Sequence, residues 1–126
     1  MLSKVSWYLE GKIILVEMSE TVTIEEVALM NTEVVKLLEL GDTPIHTIFD
    51  TTKPKQFPLK IMDIAKAVTF LSHPNIGYNI TINTNPVINF LAQAINGLQN
   101  RPTEIVPTLE AAIKRLHSLD RSLAET

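Results

Sequence analysis

The chain has 126 residues, no cysteine and a formal net charge of −3, and 45% of its residues are hydrophobic. That length and apolar content predict one domain with a sizeable core and argue against disorder. The missing cysteines exclude disulfides, thiolate nucleophiles and Cys-based zinc or iron–sulfur sites and fit a cytoplasmic protein, while the mild acidity argues against a nucleic-acid partner, which needs a basic face.

The opening Met1-Leu2-Ser3-Lys4 runs straight into a strand-like segment with no apolar leader. No apolar run approaches the ~20 residues that span a bilayer, so no transmembrane segment is expected. Val5 to Leu9 alternates apolar and amphipathic residues, and Lys12 to Met18 follows after Glu10-Gly11. The pair reads as a hairpin with Gly11 in its turn, the second strand apolar on both faces and therefore central. Thr23 and Glu26 form a capping box, flanked by a Val22–Val27 staple. Ile24, Val27, Ala28, Val34, Val35 and Leu38 then recur at helical spacing, and Gly41 is expected to end the helix in the left-handed conformation.

Ile45 to Phe49 reads as a third strand, Asp50 to Pro58 as a polar loop, and Leu59 to Leu71 as a second helix. Its buried stripe is Ile61, Ile64, Ala65, Val68 and Leu71. Tyr78, Ile80 and Ile82 alternate with Asn79, Thr81 and Asn83 in a fourth strand. Asn85 caps a third helix with Pro86 at its first position, its stripe being Ile88, Leu91, Ala94, Ile95 and Leu98. Asn100 and Pro102 read as its end. Thr103 to Val106 is a short fifth strand, and Thr108 caps a fourth helix carrying Leu109, Ala112, Ile113 and Leu116. Residues 1–126 thus read as one domain, with 120–126 as a frayed tail.

This order predicts an α/β fold: a five-stranded, mostly parallel mixed sheet with an N-terminal β-hairpin and four main helices. The first strand is expected to be antiparallel at or near an edge. If each strand is added beside the last, right-handed crossovers put every helix on one face and leave the other partly open. The polar Asn79, Thr81 and Asn83 suit such an open face, although a doubly wound sheet with that strand at an edge is the alternative. Leu15, Val16, Val34, Leu38, Ile48, Val68, Leu91, Ile95 and Ile113 are the expected core.

The opening hairpin, the β-α repeats, the Thr23-Ile24-Glu25-Glu26 helix entry, Ile48-Phe49-Asp50 and the Leu109-Glu110-Ala111-Ala112 helix start resemble the STAS-type, anti-sigma-factor-antagonist family. The resemblance covers roughly the whole chain. It implies a β-α superhelix that acts through protein contact. It also implies a phosphorylatable serine at the start of the second helix. Here Leu59 and Lys60 stand about where that serine would be, so the phosphorylation switch is not carried over.

Asp50, Thr51 and Thr52 lie at the carboxyl end of a parallel strand, where open α/β sheets place ligands. With Asn83 and Asn85 they make a candidate binding rim, Thr51 or Thr52 serving as phosphoacceptor. Turn formation and helix capping explain the same residues without a ligand. His46, His73 and His117 show no metal-ligand spacing, and His46 reads as a hydrogen-bonded structural histidine. Lys53, Lys55 and Lys60 are the only cationic cluster, read as a solvated rim. No catalytic constellation, cofactor or metal is expected.

Two readings of function follow. The first is a non-enzymatic interaction module whose partner is a protein, a second copy of the chain included. For a homodimer, Trp7, Leu9, Ile13 and Leu15, with Val5, would form an apolar patch if the hairpin register put both odd-numbered sets on the open face. The second is a domain that binds a small apolar molecule or lipid, for which a pocket of several hundred Å³ between the second and third helices would speak.

Overall fold

Gly11 adopts φ +76° and turns β1 (Lys4–Leu9) back along β2 (Ile13–Glu17) as an antiparallel hairpin. A computed structural model of the chain describes residues 3–58, 60–83, 85–98 and 104–125 and, within these, every side chain except those of 96, 98, 124 and 125. Beyond the hairpin the elements are α1 (Ile24–Leu40), β3 (Ile45–Asp50), α2 (Ile61–Ala67), β4 (Ile76–Ile82), α3 (Pro86–Leu98), β5 (Glu104–Val106) and α4 (Leu109–Leu119). The five strands lie in the order β1-β2-β3-β4-β5, with β1 antiparallel and the rest parallel. The expected architecture is thus observed.

Each parallel strand is laid beside its predecessor, so the crossover helices α1, α2 and α3 share one face. Ile14, Val16, Val34, Leu38, Ile45 and Ile64 are at the centre of that core. The other face is not open. Ile13, Leu15, Ile48, Ile80 and Ile82 pack there with Ala112 and Leu116 of α4. The crossover rule binds only helices between two parallel strands, and α4 follows the last strand. It is therefore free to fold onto the vacant face. The apolar side of β4 meets α4, and the polar side of β4 faces the three helices, opposite to the open-face expectation.

The tail is also ordered. Residues Arg121–Glu125 form a 3-10 turn that buries Leu123 in the same core as α4. A buried leucine is what the frayed reading of 120–126 missed.

Thr23 and Thr108 cap α1 and α4 by accepting hydrogen bonds from the Glu26 and Ala111 N–H groups. Gly41 ends α1, but in extended backbone, φ −91° and ψ −175°, not the left-handed conformation. Its requirement is space. A Cβ there would lie 2.9 Å from the Gly11 carbonyl oxygen and 2.8 Å from Trp7 and Ile45. On α1, Met30 takes an inward position and Ala28 is exposed.

The expected helix from Leu59 to Leu71 is shorter. It ends at Ala67, and a 3-10 turn, Phe70–Ser72, follows. Asn31 of α1 explains the break: its Oδ1 accepts the Thr69 and Phe70 N–H groups at 2.8 and 2.9 Å. A side chain from another helix takes the donors that would have continued α2. Of the expected core, Val68, Ile95 and Ile113 are only half-buried, whereas the other six are buried. Leu59, Asn100, Pro102 and Thr103 lie outside the described residues.

Candidate functional site

The carboxyl ends of β3, β4 and β5 gather the expected rim. Thr51 donates its N–H and its hydroxyl to the Ile82 carbonyl, at 3.0 and 2.8 Å, and is buried. Its hydroxyl is thereby committed. The Asp50 carboxylate accepts the Thr52 N–H and hydroxyl at 3.0 and 2.6 Å, a local turn that leaves Thr52 exposed. Asn83 is buried, donates its N–H to Val106 O, and accepts the Asn85 N–H at 2.7 Å through Oδ1. Asn85 in turn accepts the Val87 N–H at 2.9 Å, as a helix cap does. The five residues lie at one end of the sheet but in two separately bonded groups, 50–52 and Asn83 with Asn85. Thr52 and Asn85 are the exposed members.

The four residues expected to form one interface patch are divided. Val5 pairs with Val16 and Trp7 with Ile14, so the odd residues of β1 share a face with the even residues of β2. Trp7 packs half-buried against the three-helix core, beside Gly41. An irregularity between Trp7 and Leu9 turns Leu9 to the α4 side, where Ile13 and Leu15 are 1% and 8% exposed. No joint exposed patch of Trp7, Leu9, Ile13 and Leu15 results.

The amino end of the sheet holds the arrangement most like a catalytic one. His46 Nε2 lies 2.7 Å from Asp120 Oδ2, and Nδ1 accepts the Tyr78 N–H at 2.9 Å. A backbone amide can only donate, which places the ring proton on Nε2, toward the carboxylate. Tyr78 stacks on the ring at 5.5 Å. The Ser122 hydroxyl and then His46 hold the Asp120 carboxyl below its ordinary value near 3.8, burial opposing them. A groove of about 590 Å³, lined also by Pro44 and Glu104, runs past. A histidine acting as a base needs one nitrogen facing its substrate. Here both nitrogens are bonded within the protein and the side chain is 1% exposed. The pair pins the end of α4 to β3 and β4.

Two further features complete the picture. Glu26 is buried, where its carboxylate accepts the Ser3 N–H at 2.6 Å and the Ser19 hydroxyl at 3.1 Å. Burial opposes its ionisation, but the bonds from Ser3, Ser19 and Thr23 together outweigh it and hold the carboxyl below its ordinary 4.5. Second, a cavity of about 90 Å³ lies under α2 and α3, well short of the several hundred that would speak for the ligand-binding reading. Among the described residues no three His, Asp or Glu side chains converge as metal ligands would, and no helix is long and apolar enough to cross a membrane. Lys53, Lys55 and Lys60 are exposed.

Seven large apolar side chains are exposed among the described residues; Tyr8, Leu40 and Tyr78 lie toward the amino end of the sheet, and the other four are at helix starts. Leu29, Met62, Val87 and Phe90 are 60, 59, 56 and 62% exposed, and each lies in the first two turns of α1, α2 or α3. Helices that connect parallel strands start at the carboxyl end of the sheet. The four therefore sit at the same end as the rim.

No family model matches the chain, and no curated protein matches it. Its fold has solved counterparts. A structure of the anti-sigma-factor antagonist SpoIIAA in its unphosphorylated form superposes with a TM-score of 0.64 at 12% identity, over 92% of this chain and 96% of the other. The phosphorylated form of SpoIIAA, a Bacillus cell-fate determinant, superposes with a TM-score of 0.59 at 13% identity, over 90% and 98%. The hairpin, the three same-face crossovers and the returning α4 thus make up a STAS-like fold, the fold of the SpoIIAA structures.

Proposed function

We propose that this chain is a non-enzymatic regulatory module that binds a protein partner through the carboxyl end of its sheet. The observation that carries the reading is the grouping of Leu29, Met62, Val87 and Phe90, exposed at the starts of three neighbouring helices. Single exposed apolar residues need no explanation, but a group at one end of a fold marks an interaction surface. The fold likeness to SpoIIAA, an antagonist of an anti-sigma factor, supports a regulatory role of this kind. So does the chemistry of the histidine pair, whose two nitrogens are both held.

Phosphate control at the second helix start has no acceptor in Lys60, and Leu59 lies outside the described residues. If phosphate regulates the module, Thr52 offers the accessible hydroxyl on the rim, Thr51 being closed off by Ile82.

Photo-crosslinking tests the reading. A photoreactive phenylalanine analogue at position 90, expressed in native cells, should give one dominant adduct that Met62→Asp and Val87→Asp weaken. Adducts that are equally strong from a substituted Arg121 position on the far end would remove the docking surface. Light scattering on the purified chain separates a second copy from a different partner: a monomer at high concentration excludes the homodimer.

A further inference from the structure

The two outer strands of the sheet are protected unequally. β5 has three residues, and its Glu104 is bonded to Arg115. β1 has six, with no proline and with Lys4 as its one charge. Shortness, charges and prolines are what keep strand edges from pairing with other chains. The free part of the β1 edge follows from its neighbours. Along a strand, alternate residues turn N–H and C=O to the same side. The His46 N–H bonds the Lys12 carbonyl and the Met18 N–H bonds the Asp50 carbonyl, so the even residues along β2 face β3. Leu15 and Glu17 therefore face β1, where they pair with Ser6 and Lys4. Val5 and Trp7 are left with both backbone groups pointing out of the sheet.

Both ends of this free run are closed. The Ser3 N–H is taken by Glu26, and the Leu9 carbonyl accepts the Lys12 N–H in the turn. What remains, Val5 to Trp7, is centred on Ser6. A copy of β1 laid antiparallel on it satisfies every outward donor and acceptor in one register, with Ser6 opposite Ser6 and Val5 opposite Trp7. The side chains agree with that register. Val5 and Trp7 stand half-buried on the three-helix face, and an aromatic beside a β-branched residue is a favourable cross-strand pair. Lys4 falls opposite Tyr8, which is 47% exposed and offers its ring to the ammonium. The two Lys4 residues lie ~14 Å apart along the strands, beyond the screening length of about 8–10 Å.

We propose that β1 is a dimerisation strand: a second copy of the chain adds its own β1 antiparallel across a two-fold axis at Ser6, joining the two sheets into one. A foreign strand would have to match this short run in donors, acceptors and side chains, whereas the chain's own β1 matches it by symmetry, and two-fold pairing is the commonest form of self-association. The irregularity between Trp7 and Leu9 limits the length that can pair. The contact is therefore small and the dimer weak and concentration-dependent. This edge uses none of Leu29, Met62, Val87 and Phe90, so it stands or falls separately from the surface at the carboxyl end.

The chain has no cysteine, so a single introduced one is a clean probe. Opposite residues that exchange no backbone bonds have Cα atoms ~4.5 Å apart, within disulfide range. Ser6→Cys should therefore give a disulfide-linked dimer on mild oxidation, and Lys114→Cys, exposed on α4, should not. Sedimentation equilibrium on the wild type should show a dimer by ~1 mM. Val5→Pro removes an outward donor and should weaken that dimer about tenfold, the scale of one hydrogen bond. Tyr8→Lys sets like charges against Lys4 at an exposed position and should weaken it several-fold, which keeps the test open if Val5→Pro does not fold. Phe90→Asp should leave it unchanged. A Ser6→Cys chain that links no faster than Lys114→Cys, a wild type still monomeric at ~1 mM, or a dimer that neither edge variant weakens overturns the proposal. A dimer that Phe90→Asp dissolves overturns it too, and moves the contact to the carboxyl end.

Discussion

The two faces of the sheet are closed by different means. On one, α1, α2 and α3 lay a broad apolar cover over β1 to β4, in which packing is joined by the side-chain bonds of Glu26, Asn31 and Asn75. That cover tolerates a cavity. On the other, one helix and a 3-10 turn cover a narrower core of Ile13, Leu15, Ile48, Ile80 and Ile82. Here directional bonds are added: His46 to Asp120, Tyr78 N–H to His46, and Ser122 to Asp120. A wide apolar contact can be loose in places because many contacts share its stabilisation. A single helix has few contacts, so its position has to be fixed by groups that bond at one distance and angle.

The largest test of this contrast is a leucine truncation on each face. Leu38 and Leu116 are both fully buried, and Leu38→Ala and Leu116→Ala should each cost ~2–5 kcal/mol in urea unfolding. Leu91→Ala, at the cavity wall, should fall at the low end of that range. A loss under ~1 kcal/mol for Leu116→Ala would show that α4 is a loose flap and that the narrow face has no core of its own.

Gly77→Ala comes next. A Cβ there would lie 2.5 Å from His46 Nδ1 and 2.7 Å from Cε1, so the ring must leave its slot. A loss of ~1–3 kcal/mol is expected, as for other overpacked sites. His46→Ala in the same background should recover part of it, because the obstacle is the ring itself.

Asp120→Ala should cost ~1–3 kcal/mol, since it leaves the His46 Nε2–H buried without an acceptor. The acid limb sharpens the point. Asp120 and Glu26 have folded pKa values below their ordinary 3.8 and 4.5, so each contributes stability above those values and loses it as the pH falls through the lowered ones. Wild-type unfolding midpoints should therefore drop below about pH 4.5, and Glu26→Gln with Asp120→Asn should flatten that slope. An unchanged slope would mean that neither carboxylate anchors its segment. The smallest effect is expected at Thr52→Ala, within ~0.5 kcal/mol, because the exposed Asp50–Thr52 turn supports neither face.

What could be read from the chain was local. Gly11 in its turn, Thr23, Asn85 and Thr108 at helix starts, and the alternation of β4 each act within a few residues, and together they dictate element order and hence the sheet. What could not be read depends on distant partners. His46 and Asp120 are 74 residues apart, and no spacing rule links them. Gly77 was the one available signal, since a glycine at the start of a strand marks a close approach. Asn31 ends α2 from another helix, and the side chosen by α4 is free of any crossover rule. The hairpin register, which separated Trp7 from Leu15, rests on one irregularity in β1. Asp50 and Asn83 lie at the carboxyl ends of β3 and β4, as their place in the chain implies, but hydrogen-bond commitments such as Thr51 to Ile82 are not visible in composition or period.

The late return of α4 has a consequence for synthesis. Ile13 and Leu15 are made early, yet their cover, Leu116 and Leu123, comes about a hundred residues later, which at ribosomal rates is a delay of ~5–20 s. Through that interval the growing chain presents an apolar strip along β2, β3 and β4 that nothing of its own can yet bury. The nascent chain is therefore most prone to aggregation just before its last helix emerges, and a ribosome stalled there should recruit chaperones more strongly than the finished protein does.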